Sequence, residues 1–335
     1  MKPTSQKVEI VELKNYPIQF RLKKVDDKNN IITTQNGDAV EFTIYDANGT
    51  KDNTADDTEI QKVRTDDPQY IANGYFLLGD LMNDGTLYRI HESHTMAGYG
   101  TAQDEYVDTS TLPTDTIKEI TVENTKLSIR VKKTAKKGGE ALQTYTYTDG
   151  VHDPVDVGFK LTVRDDEDNS VVATIDTSDA DYKAKGYAEI SQYVQFGHTY
   201  TVSEDDYPQG YYKAIPVSFT VDKTALKDNT ISIELVDPVI YARFRKEDTN
   251  GNVLTTVTDK AGNVYSFRYQ VIDAATGKPV CVVDTKDADS SNGYVQFGKY
   301  LKEDHLYNLK EIAAPAPWKI NTTAVSFRTP KYSTN

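Results

Sequence analysis

Apolar and polar positions alternate along almost the whole chain, in short runs that end in Asp, Asn or Gly. Val40-Glu41-Phe42-Thr43-Ile44-Tyr45 is closed by Asp46-Ala47-Asn48-Gly49, and Gly158-Phe159-Lys160-Leu161-Thr162-Val163 by Arg164-Asp165-Asp166. A period of two sends alternate side chains to opposite faces, which marks half-buried strands in antiparallel sheets. No stretch sustains a helical stripe for three turns. The pattern predicts an all-β chain with short connections.

The runs repeat. Three end in lysine: Ile18-x-Phe20-x-Leu22-x-Lys24, Ile129-x-Val131-x-Lys133 and Ile240-x-Ala242-x-Phe244-x-Lys246. Three share Tyr-x-aliphatic-x-Glu, ending at Glu92, Glu204 and Glu311. Two end in a carboxamide or carboxylate: Ile120-x-Val122-x-Asn124 and Ile233-x-Leu235-x-Asp237. Lysines and glutamates both recur at intervals of about 110 residues, the size of one β-sandwich. This divides the chain into modules at 16–125, 126–238 and 239–335, with residues 1–15 as the last strand of a preceding module or a tail.

Parity gives these residues their interest. Lys24 shares a strand face with Leu22 and Phe20, Glu92 with Tyr88 and Ile90, and Asn124 with Ile120 and Val122. Each set therefore aims at an apolar core, where an unpaired charge costs several kcal/mol. Burial lowers the pKa of an amine and raises that of a carboxylic acid, so both become neutral. A neutral amine attacks an adjacent carboxamide or carboxyl carbon, and a protonated acid hydrogen-bonds the carbonyl and shuttles protons. The product is an isopeptide bond, with ammonia lost from Asn or water from Asp. The alternative that needs no chemistry is a buried Lys–Glu ion pair with an Asn neighbour.

Composition narrows the classes. Thirty-eight Lys and Arg against 51 Asp and Glu give a net charge of −13, which repels a phosphate backbone and argues against nucleic acid. Tyr, Phe, Val, Ile and Thr suit strands. Membrane insertion is not expected, because no apolar run is long enough to span a bilayer. Met1-Lys2-Pro3-Thr4-Ser5-Gln6 lacks a signal-peptide core, which leaves a cytosolic chain or a mature fragment. A lone cysteine, Cys281, excludes an internal disulfide and reads as a small buried hydrophobe.

The Lys, Tyr-x-aliphatic-x-Glu and terminal Asn/Asp set resembles the collagen-adhesin B-type (Cna-B) domains of Gram-positive surface adhesins and pilins. Glu204-Asp205-Asp206-Tyr207-Pro208-Gln209-Gly210-Tyr211 and Glu311-Ile312-Ala313-Ala314-Pro315 are similar to that family's Glu-x-x-x-Pro-x-Gly-Tyr turn; the segment after Glu92 lacks the proline. The resemblance implies a tandem array of Ig-like β-sandwich domains forming an elongated rod, with the Lys in each first strand and the Asn or Asp in each last. It pairs Lys24 with Asn124 beside Glu92, and Lys133 with Asp237 beside Glu204. It implies an extracellular protein of the bacterial cell surface or cell wall, without turnover catalysis and without cofactor or metal.

The third module departs from the plan. Its acceptor, at the step seen in the other two, would fall beyond Asn335, so Lys246 and Glu311 stand without one. Asn124 and Asp237 each precede the next lysine by nine residues, and nine residues before Lys24 stands Asn15, closing Ile10-Val11-Glu12-Leu13-Lys14-Asn15. Lys246 and Asn15 are thus unpaired crosslink candidates; the frame reads as a fragment of a longer array cut out of phase with its domains, and a monomer is preferred over a head-to-tail polymer.

Competing sites are weak. Asp176, Asp179 and Asp181, and Asp284, Asp287 and Asp289, read as solvated acidic turns rather than calcium loops. His91-Glu92-Ser93-His94 has the wrong spacing for a zinc peptidase, and no Gly-x-Ser-x-Gly elbow or phosphate loop occurs. Two functions survive. One is a stalk or pilus-like shaft whose partners are neighbouring modules of the same surface protein. The other is a module binding host matrix protein or glycan. Repetition of one plan without large insertions favours the stalk, leaving host contacts to a tip beyond these modules. Trp318 and the pair Tyr145 and Tyr147 are the few aromatic candidates for a binding surface, and no Leu-Pro-x-Thr-Gly sorting signal is present.

Overall fold

The structure is a computed structural model that describes residues 12–149, 152–289 and 292–332. It is an all-β protein of Ig-like sandwiches, and the chain divides into two compact units, Met1–Leu127 and Ser128–Asn335.

In the first unit, β1 (Phe20–Asp26) is followed by a short ribbon, β2 (Thr34–Gln35) and β3 (Asp38–Ala39). Next come β4 (Glu41–Asp46), β5 (Thr58–Arg64), helix α1 (Pro68–Asn73), β6 (Phe76–Leu78), β7 (Leu87–His94), β8 (Glu105–Asp108) and β9 (Lys118–Asn124). One sheet has the order β6-β1-β9 and the other β5-β4-β7-β8. Leu22, Phe42, Ile44, Tyr88, Ile90 and Val122 belong to one buried cluster drawn from both sheets. The first and last strands are parallel neighbours, with Lys24 opposite Val122 and Asp26 opposite Asn124. Lys24 and Asn124 are therefore diagonal neighbours on one face of the sheet.

The second unit spans what the repeat pattern divides into two modules. Its strands begin with β10 (Ser128–Thr134), β11 (Tyr145–Tyr147), β12 (Val155–Val157), β13 (Lys160–Asp165) and β14 (Val171–Asp176). Helix α2 (Ala180–Lys185), β15 (Ala188–Glu189), β16 (Thr199–Glu204), β17 (Val217–Thr220) and β18 (Thr230–Val236) follow. The sheets β15-β10-β18 and β14-β13-β16-β17 repeat the arrangement of the first unit. Again the first and last strands are parallel, with Lys133 opposite Leu235.

The rest of this unit holds β19 (Arg243–Arg245), β20 (Thr256–Thr258), β21 (Val264–Ser266), β22 (Arg268–Asp273) and β23 (Pro279–Asp284). It ends with β24 (Tyr294–Gln296), β25 (Leu306–Ala313) and β26 (Val325–Arg328). The four-stranded sheet β23-β22-β25-β26 is complete, but β19 pairs only with β24. Among the described residues no strand lies parallel to β19. The turn at Gly210 ties the two halves of the unit. Gly210 N–H donates to Leu301 O at 2.8 Å, Ile240 N–H donates to Gly210 O at 2.8 Å, and Lys213 N–H donates to Glu303 at 2.9 Å. Gly210 has φ +86°, and a Cβ there would press on the Lys299 backbone at 3.0 Å, so the turn needs glycine.

Two details differ from the sequence expectation. Helices α1 and α2 are each six residues long, too short for periodicity to reveal; Asp179 stands at the N-cap of α2, exposed and with no side-chain cap hydrogen bond. Residues 12–19 form no strand, and the remainder of the 8–15 run lies outside the described residues.

Because Leu235 is fully buried beside Lys133, Leu235→Ala should cost about 2–5 kcal/mol. Leu13→Ala, at a residue 90% exposed, should cost nothing measurable. Denaturant unfolding of the two variants checks the contrast, and equal losses would contradict the burial assigned to β18.

Candidate functional site

The Lys24 side chain is fully enclosed, and three groups converge on its amine. Nζ lies 2.9 Å from Glu92 Oε2, donates to Val122 O at 3.3 Å and donates to Asn124 Oδ1. Asn124 Nδ2 in turn donates to Glu92 Oε1 at 2.7 Å, and Thr95 donates to the same oxygen at 2.7 Å. Glu92 thus bridges the lysine amine and the carboxamide nitrogen. The Phe42 ring faces the amine, its centroid 5.9 Å away. Burial outweighs the Glu92 carboxylate and pulls the Lys24 pKa down to about 8.

The second copy differs in detail. Lys133 Nζ lies 3.1 Å from Glu204 Oε1 and contacts Asp237 Oδ1, with all three side chains sealed from solvent. Glu204 Oε2 accepts from the Ala214 N–H at 3.2 Å. Burial and the neighbouring Glu204 raise the Asp237 pKa against the opposing pull of Lys133. Phe159 faces this amine at 5.5 Å. Its ring also packs on Tyr145, 5.1 Å between centroids, so Tyr145 does not form an exposed pair with Tyr147.

In the third copy Lys246 Nζ lies 3.1 Å from Glu311 Oε1, which also accepts from the Tyr269 hydroxyl at 2.9 Å. Glu311 Oε2 takes the Asn321 N–H at 2.5 Å. Phe267 and Tyr269 face the amine at 5.5 and 5.9 Å. No described Asn or Asp side chain hydrogen-bonds the Lys246 amine, which is 18% exposed where the other two lysines are closed off. Asn15 is exposed and in no strand, and nothing brings it to a lysine.

Sequence reasoning missed two tyrosines. The Tyr70 hydroxyl, on α1, accepts from the Lys24 N–H and donates to the Lys24 carbonyl, both at 3.0 Å. Tyr182, on α2, accepts from the Lys133 N–H at 2.8 Å. Each clamps the backbone of the buried lysine. The signal was present as Asp-x-x-Tyr-x-x-x-Gly-Tyr, at Asp67–Tyr75 and Asp179–Tyr187.

The other candidate chemistry disperses. His91 and His94 bond Asp104 and Asp38, each at 2.6–2.7 Å, while Glu92 turns inward, so the three make no zinc set. His198 Nδ1 sits 2.9 Å from Asp165 Oδ2 and 3.8 Å from Glu167 Oε2, a small imidazole–carboxylate cluster. Cys281 is half-buried in β23, where burial pushes its thiol up to about 12.

No family model and no curated protein matches the chain. Solved structures similar to it include the Bacillus anthracis TIE protein, at 17% identity and a TM-score of 0.29 over 94% of this chain. The chain spans about half (48%) of that protein's length. The shaft pilin SpaA of Lactobacillus rhamnosus GG is 17% identical with a TM-score of 0.31, covering 67% of this chain and 98% of the pilin. The pilus adhesin SpaC of the same organism, in its open conformation, is 12% identical with a TM-score of 0.39, covering 93% of this chain and 38% of the adhesin. At these TM-scores the fold assignment rests on the sheets and registers above.

Two outcomes follow from the site. Tyr70→Phe should destabilise the first unit by about 1–3 kcal/mol, since the buried Lys24 N–H loses its partner; thermal unfolding without a change would contradict the clamp. In Asn124→Ala, Lys24 stays a free amine that sheds its proton near pH 8 when folded and near 10.5 when unfolded. The unfolded chain then binds more protons between those values, so stability should rise with pH across that window. Urea midpoints of Asn124→Ala, set against Asn124→Ala combined with Lys24→Met, should diverge across it. A pH-independent difference would contradict the shift.

Proposed function

We propose that this chain is part of the stalk, or pilus-like shaft, of a bacterial cell-surface adhesin, built from Cna-B-type modules and stiffened by isopeptide bonds that form without another enzyme. The observation that carries the reading is the enclosed Lys24, Glu92 and Asn124 triangle spanning the first and last strands. Proton transfer from the Lys24 ammonium to Glu92 leaves a neutral amine, which attacks Asn124 Cγ. Glu92 then hands that proton to the departing nitrogen and takes up the second proton that the attacking nitrogen sheds. One C–N bond forms, one breaks, and ammonia leaves. Lys133 and Asp237 do the same with loss of water, Asp237 reacting as the acid that its raised pKa favours.

Such bonds would matter most under tension. A link from Lys24 to Asn124 joins parallel neighbours and lets force bypass the residues between them. Each link also closes a loop of about 100 residues, worth about 4.7 kcal/mol in the chain-entropy model. A stalk that holds a binding tip away from a cell wall needs both properties. The repeated plan supports a spacer over a module specialised for one ligand.

Intact-protein mass tests the reading. The wild type should fall short of its sequence mass by about 35 Da, about 17 from ammonia and about 18 from water. Glu92→Gln should restore only the first part and Glu204→Gln only the second. A full-length mass in the wild type would leave two buried ion pairs and no crosslink. In single-molecule pulling the linked modules should not extend, and stepwise release of either full module would contradict the load-bearing role.

A further inference from the structure

We infer that Thr95 is a positioning residue for the first crosslink, its hydroxyl holding the Glu92 carboxylate so that one oxygen serves the Lys24 amine and the other the Asn124 amide nitrogen. The inference rests on the crosslinking chemistry proposed above.

Glu92 must face two partners at once. Its Oε2 lies 2.9 Å from Lys24 Nζ, and its Oε1 accepts from Asn124 Nδ2 at 2.7 Å. An untethered carboxylate beside an enclosed ammonium turns both oxygens toward the charge, because that contact is stronger than one to a neutral amide. The amide nitrogen then loses the group that brings it a proton. Thr95 Oγ1 donates to Oε1 at 2.7 Å and pins the carboxylate on the amide side. Its other neighbour, Thr101 Oγ1, is farther off at 3.2 Å.

The other two copies make the same provision by different means. Glu204 Oε2 accepts from the Ala214 N–H and Glu311 Oε2 from the Asn321 N–H, each ten residues beyond its glutamate. Ala102 stands at that step from Glu92, yet among the described residues no backbone N–H donates to Glu92. Thr95 supplies the donor instead. The first module is also the one whose turn lacks the proline found at Pro208 and Pro315, so the altered turn and the altered donor go together.

A bulge explains how a threonine three positions on reaches the glutamate. An odd step along a regular strand sends two side chains to opposite faces. Phe42 stands opposite Glu92 and Glu41 opposite His94, so Ser93 is an extra residue on β7. That residue shifts the parity and re-aims Thr95 to the side of Glu92. In the third copy Tyr269 stands opposite Glu311 and Arg268 opposite Ala313, which puts the same bulge at Ile312. The residue matching Thr95 there is Ala314, without a hydroxyl, and Asn321 is the donor.

Thr95 keeps its own proton throughout. The bond from Lys24 Nζ to Asn124 Cγ forms, the Cγ–Nδ2 bond breaks and ammonia leaves, with Glu92 carrying the protons. The hydroxyl decides only where the carboxylate stands, and a displacement of about 1 Å can slow a positioned reaction about a hundredfold.

The test is cell-free synthesis of the full 335-residue protein, quenched in denaturant at timed intervals and read by intact and peptide mass. Thr95→Val keeps the shape and removes the hydroxyl, whereas Thr95→Ser keeps the hydroxyl and removes the methyl. Thr95→Val should acquire the first module's deficit of about 17 Da about a hundredfold more slowly than wild type. The second module's deficit of about 18 Da should appear in it at the wild-type rate. Thr95→Ser should react at the wild-type rate in both modules. Wild-type speed in Thr95→Val overturns the inference. Slowing in Thr95→Ser equal to that in Thr95→Val assigns the effect to packing and overturns it as well. A wild type that never loses mass overturns the crosslinking chemistry itself, a result distinct from either variant's rate.

Discussion

A lysine amine enclosed in an apolar sandwich is the constraint on which the rest of the structure depends. Removing an ammonium from water costs several kcal/mol even after relaxation, and only partners with good geometry offset that cost. Around Lys24 the partners come from three directions: a carboxylate on β7, a carboxamide and a carbonyl on β9, and the face of Phe42 on β4. Those contacts require the first and last strands to be neighbours and the facing sheet to present its glutamate inward. Parallel pairing of first and last strands meets the requirement twice, in β1 with β9 and in β10 with β18. Side chains some hundred positions apart in the chain are thereby held in hydrogen-bond contact.

The three copies vary this plan in ways that separate its parts. In the first, Glu92 touches both the amine and the amide nitrogen; in the second, Glu204 gives one oxygen to the backbone and the acid acceptor sits beside it. The third keeps the lysine, the glutamate and the aromatic cover, but among the described residues it has neither an acceptor nor a tyrosine clamp, and its lysine is the one that reaches solvent. Enclosure of the amine thus goes with the presence of the last strand. The strand completes the core and brings the Asn or Asp that contacts the amine in the same step.

Strand parity made much of this legible in the sequence. Alternation placed Lys24, Glu92 and Asn124 on the core face, because period two leaves no other choice once the apolar residues are buried. The recurrence of the same residue types marked Lys133, Glu204 and Asp237 as a second set, and the resemblance to Cna-B domains supplied their pairing. What alternation could not show was the contribution of short elements. Helices of six residues carry no periodic stripe, so Tyr70 and Tyr182 stayed hidden although their spacing repeats. The aromatic cover was equally opaque. It comes from Phe42 in one copy and from Phe159, two register positions earlier, in the next, since Phe42 pairs with Glu92 but Leu161 pairs with Glu204.

The most direct measurement of the central claim is tandem mass spectrometry of the wild-type protein after proteolysis under denaturing conditions. The account predicts branched peptides in which Lys24 is joined to Asn124 and Lys133 to Asp237, with the corresponding linear peptides depleted. Recovery of all four sites in unbranched peptides at full abundance would contradict it.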